Sequence, residues 1–138
     1  LINDHLQPFV DLAHDVEMMM INHINYSFYD SPLIPASMSE NIIRRLLLEE
    51  LDFKGLIISD SIRMGALTEN FSESKISQEF ILNGGDLILD PIGPAQLIDV
   101  IGNIYSKASE DIDEKIKKII KIKNKARSLM FRWVTFFF

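Results

Sequence analysis

Short apolar runs in this chain lead into side chains that can do chemistry. "MMMI" runs on to His23 and Asn25, "LIIS" (Leu56 to Ser59) meets Asp60, and "DLILD" (Asp86 to Asp90) closes on Asp90. If the runs are parallel strands, these residues stand at the carboxyl ends, the edge on which α/β folds carry their sites. His23, Asp60 and Asp90 can ionise, and a curved sheet would gather them on one rim with Asn25. The same positions suit turn formers and helix caps, and Asp60 could cap a helix starting at Ser61. Residue type alone leaves both readings open.

Other chemistries find less support. There is no cysteine, which removes disulfides, thiolate metal sites and a Cys nucleophile. His5 and His14 fall on an opening helix and read as surface residues. The three histidines lack metal-ligand spacing, so neither a metal nor a cofactor is expected. Gly84 and Gly85 lack the pattern and following helix of a phosphate loop. With 14 Lys and Arg against 20 Asp and Glu, the net charge of −6 disfavours nucleic acids and anionic membranes as partners. The aromatic end, "MFRWVTFFF", is far short of the roughly 20 apolar residues that span a bilayer, so no membrane span is expected.

The elements that must position these residues follow from periodicity. Leu6, Phe9, Val10 and Ala13 have helical spacing, with Pro8 tolerable only in a first turn. Val16 to His23 reads as a buried strand with Met18 to Met20 in its core, and 24–38 as a long loop. Ser39 is a suitable N-cap for a helix that lines up Ile42, Ile43, Leu46, Leu47 and Leu51 on one face. Strands at Leu56 to Ser59 and Asp86 to Asp90 flank a helix near Ser74 to Asn83, which stops at the two glycines. Pro94 opens a helix to about Ile104. A last helix, Asp111 to about Met130, carries its acids first and its bases last, as the helix dipole favours, and its lysines from Lys115 to Lys125 read as a solvated face. Strands alternating with helices imply right-handed crossovers and a parallel sheet. About three strands are few for a free-standing α/β domain, whereas a barrel without its first strands would look like this. The chain also begins with Leu1, already inside a helical pattern, and so reads as a piece of a larger protein.

Longer stretches sharpen the reading. "LQPF" (Leu6 to Phe9), "MMMINHINY" (Met18 to Tyr26), "YDSPLIPASMS" (Tyr29 to Ser39), "LLLEELDFKGLIISDSIRMGAL" (Leu46 to Leu67) and "NGGDLILDP" (Asn83 to Pro91) occur in this order. Together they resemble the C-terminal part of the catalytic domain of family 3 glycoside hydrolases, in the β-N-acetylhexosaminidase branch. The resemblance implies the C-terminal portion of a TIM-type (β/α)8 barrel over residues 1–130, followed by a short aromatic tail, 131–138. It implies that Asp60 is the catalytic nucleophile of a retaining glycosidase, with Met64 beside the sugar. His23, as a substrate-binding residue, favours N-acetylglucosamine over the glucose of the family's β-glucosidases. The implied partner is a small carbohydrate such as a cell-wall fragment. The implied location is cytoplasmic, with periplasm or secretion as alternatives. Asp52 stands where the family usually has Gly, and "NGGD" departs mildly from the usual "AG.D". The family's acid/base His and its Lys-His sugar-binding segment precede Leu1 in the pattern. A non-catalytic remnant is therefore the reading from another class.

Overall fold

The structure is a computed structural model that describes residues 2–31, 33–91 and 93–134. Among these residues, three parallel strands lie in the order β1 (Met18–Ile21), β2 (Leu56–Ser61), β3 (Leu87–Leu89). Helix α1 (Ile2–Leu12) precedes the sheet, and a π-helix (Asn41–Glu50) joins β1 to β2. Helices α2 (Gly65–Thr68) and α3 (Glu73–Leu82) join β2 to β3, and α4 (Pro94–Tyr105) and α5 (Ser109–Val134) follow. The alternation expected from periodicity is present.

Several boundaries differ from the expectation. β1 is shorter, since Val16 and Glu17 belong to the approach and His23 to the exit. Pro8 lies inside α1 rather than in its first turn, because the helix reaches back to Ile2. Helix α3 starts earlier than Ser74: the Ser72 hydroxyl accepts the Lys75 N–H and caps it. Helix α5 continues to Val134, past the expected end near Met130, while 135–138 lie outside the described residues.

Ser39 does cap the helix that follows it. Its extended backbone and its hydroxyl, which accepts the Ile42 N–H at 2.9 Å, place it at the cap. That helix is wound with wide i→i+5 bonds and ends with the Leu51 N–H on the Leu46 carbonyl. It buries Ile42, Ile43, Leu46 and Leu47. Of these, Ile42, Ile43 and Leu47 meet Met19, Ile21, Phe53, Ile57 and Phe80 in the main core, on the helix-covered side of the sheet.

The other side of the sheet is open. Register pairs Met18 with Leu56 and Met20 with Ile58, so these residues share a face. Met18 and Met20 are 42% and 56% exposed, which corrects the reading of the Met triplet as strand core: only Met19 is buried. In a closed barrel this face looks inward at other strands.

Candidate active site

β2 ends with Asp60 and Ser61 still in the strand, and the next helix begins only at Gly65. Asp60 is therefore no helix cap. Strand alternation puts it on the open face with Ile58 and Met20, while Ser59 is buried on the helix side. Pairing with β3 is irregular at this point: Ile58 registers with Leu87 and Ser61 with Leu89, so three steps on β2 match two on β3. The Ser59 hydroxyl accepts the Leu89 N–H at 3.1 Å across the irregularity. Bulges of this kind re-aim a side chain.

The backbone of Ser61, the residue after Asp60, is held from several sides. The Ser61 N–H donates to Asp60 Oδ1 at 2.7 Å. The Ser61 carbonyl accepts from His23 Nε2 at 3.1 Å and from the Met64 N–H at 3.2 Å. His23 is itself buried, with Nδ1 2.8 Å from the hydroxyl of the fully buried Ser37. Three residues singled out in the sequence, His23, Asp60 and Met64, thus converge on the backbone of one residue, Ser61. Met64 is 45% exposed.

Asp90 also reaches this rim. It accepts from the Ser61 hydroxyl at 3.0 Å and faces Arg63 at 3.4 Å, and its backbone is in the left-handed region with φ 56°. Asp90 thus ties the end of β3 to Ser61 and Arg63 at the rim. Asn25 is exposed on the loop after β1, two residues beyond His23.

That loop is tied down by Asp30. Its carboxylate accepts from the Ser39 hydroxyl and, at 3.0 Å, from the Asn41 side-chain amide, and the Ala36 N–H bonds the Ile24 carbonyl at 2.9 Å. The "YDSPLIPASMS" stretch therefore folds back and delivers Ser37 to His23. Sequence reasoning missed Ser37, Ser59 and Ser61. The available signal was a serine closing each of two otherwise apolar stretches, "PAS" and "LIIS".

At the opposite end of the strands, the Asp86 carboxylate accepts the Ile57 N–H at 2.8 Å and Lys118 at 2.7 Å. Lys118 and Lys115 of α5 thus turn inward, which corrects the reading of that lysine run as a wholly solvated face. Among the described residues, no helix is long and apolar enough to cross a membrane.

Comparison with known proteins gives the family. Residues 1–122 match the Glycosyl hydrolase family 3 N terminal domain. A beta-hexosaminidase of Vibrio cholerae (strain M66-2) is 30% identical over 103 residues, covering 75% of this chain and 31% of the relative. Beta-hexosaminidase A of Pseudoalteromonas piscicida is 26% identical over 145 residues, covering 87% of this chain and 24% of the relative. The chain thus spans about a quarter to a third of the length of these curated relatives. The crystal structure of the beta-N-acetylglucosaminidase from Thermotoga maritima superposes with a TM-score of 0.74 at 29% identity, over 84% of this chain and 27% of that one. Its strands and helices are a portion of such a barrel, and the chain belongs to glycosyl hydrolase family 3, within the N-terminal domain of that family.

Proposed function

We propose that this chain carries the nucleophile of a retaining β-N-acetylhexosaminidase, and that the nucleophile is Asp60. The observation that carries the reading is the placement of Asp60. It is a carboxylate on the open face of a strand end, within a bulge, next to Ser61, whose carbonyl is held by His23 and Met64. In this reaction the carboxylate attacks the anomeric carbon while the aglycone oxygen departs with its bonding electrons and takes a proton. Water then attacks the glycosyl-enzyme, gives up its proton to a base, and releases Asp60 and the sugar. The proton donor and acceptor, and the Lys-His segment that binds the sugar, come from the family's preceding loops. Met64 flanks the sugar, and the substrate is a terminal N-acetylglucosamine on a cell-wall fragment or related glycoside. The names of the relatives support the sugar.

The test uses the complete protein. Asp60→Asn is expected to lower turnover of an aryl N-acetyl-β-glucosaminide by at least about a thousandfold with the fold intact. Near-normal activity would remove Asp60 from the mechanism. The wild type is expected to prefer that glycoside to an aryl β-glucoside in kcat/KM, and the reverse preference would assign a β-glucosidase.

A further inference from the structure

We propose that His23 is a positioning residue: its imidazole aims Asp60 by holding the Ser61 carbonyl, and it makes no contact with the sugar. The proposal rests on the reading of Asp60 as nucleophile. His23 is only 8% exposed and both ring nitrogens are engaged within the protein. A carbonyl can only accept, so Nε2 carries the hydrogen given to Ser61. In the neutral ring Nδ1 then accepts from the Ser37 hydroxyl, whose residue is 0% exposed. Neither nitrogen is left for a sugar hydroxyl.

The strand ladder does not do this work. Registered partners of β2 on β3 fall at Ile58 and Ser61 and skip Asp60, so the irregular pairing leaves the aim of its carboxylate to other contacts. Those contacts meet at the Ser61 carbonyl. The Met64 N–H fixes it from within the turn, and His23 fixes it from β1's exit, 38 positions away in sequence. The histidine is thus the link that ties the direction of the nucleophile to the neighbouring strand. A displacement of about 1 Å at a reacting group can lower a rate on the order of a hundredfold.

Two amides separate the contacts. Gln places a donor near the imidazole Nε2, whereas Asn reaches only as far as Nδ1. In the complete protein, His23→Asn is expected to lower kcat for an aryl N-acetyl-β-glucosaminide about a hundredfold, with KM changed less than about threefold. His23→Gln should recover to within about tenfold of wild type, and Ser37→Ala should lose about tenfold in kcat because the ring loses its second anchor. Equal losses in the Asn and Gln variants, or a loss carried mainly by KM, would overturn the proposal. Trapping with an activated fluorosugar distinguishes it from the reading beneath it. Label on Asp60 that accumulates more slowly in His23→Asn supports the proposal. Label on Asp60 at the wild-type rate overturns the positioning role alone, and label on another residue overturns the nucleophile itself. Should His23→Asn fail to fold by circular dichroism, Ser37→Ala decides, and wild-type kcat in that variant would sink the idea.

Discussion

Asp86 shows how much one side chain can hold. Its side chain is 1% exposed, its carboxylate serves the Ile57 N–H and Lys118, and its own N–H bonds the Ile57 carbonyl at 2.8 Å. One residue thereby starts the pairing of β2 with β3 and anchors α5 to the sheet. Asp86→Ala leaves a backbone donor and an ammonium without their acceptor. Lys118 is partly exposed and can turn to water, so the expected loss is about 2–3 kcal/mol by urea unfolding of the complete protein, at the low end for a broken buried pair. A change under about 0.5 kcal/mol would show that the contact is ornamental. The preceding glycines have equally local reasons. Gly84 holds φ at 117°, and a Cβ on Gly85 would sit 2.2 Å from the Phe80 ring. Asp52, in the place of the family's glycine, adopts the left-handed conformation itself at φ 49° and pairs with Lys54. Asp is among the few residues that enter this region, so the turn into β2 survives the change.

At the level of elements, α5 docks by a lysine that suffers for it. Lys115 is 12% exposed and 3.7 Å from Asp111. Burial pushes its ammonium below the usual 10.5, while Asp111 and Asp86 pull it partly back up. Between its folded value and 10.5 the unfolded chain binds more protons than the native one, so this group's contribution to stability rises with pH there. Below that window its penalty is present in full. Lys115→Met should therefore raise Tm at pH 7, with the gain shrinking toward zero as pH approaches 10.5. A gain independent of pH would point to packing instead. The order of elements was legible because each long helix and each strand carries its own period. Helix α2, with 4 residues, is too short to show one and was missed. The rim was legible from strand ends, but its wiring was not: His23 meets Ser37 and Ser61 from 14 and 38 positions away, and no local pattern encodes such distances. The Met triplet misled because hydrophobicity does not say whether a strand faces helices or the inside of a barrel.

The last expectation belongs to the whole molecule. β1 and β3 are both edges of the sheet among the described residues, and neither has a partner on its outer side. Beside β1 an apolar groove of about 640 Å³ opens between α1 and the π-helix, lined by Phe9, Leu12, Met18, Met20 and Leu46 among others. Phe9, expected to pack, and Leu12 are each 50% exposed there. The open face of the sheet, with Met18, Met20, Leu56, Ile58, Leu87 and Leu89, gives apolar side chains up to solvent. It does so unevenly: Met20 is 56% exposed and Leu89 37%, whereas Leu56 is only 2% exposed. An apolar groove running into an unpaired parallel edge invites association, because both the strand and the surface beside it gain partners at once. These 138 residues expressed alone should therefore form oligomers or aggregates. They should also fail to hydrolyse an aryl N-acetyl-β-glucosaminide, since leaving-group protonation needs an acid within hydrogen-bond reach. His23, which holds Ser61 beside Asp60, already uses both nitrogens. Size-exclusion chromatography and a glycoside assay check the two halves separately. A monomer with one cooperative melt would show that the edges are protected after all, and turnover abolished by Asp60→Asn would show that an acid is present within the chain.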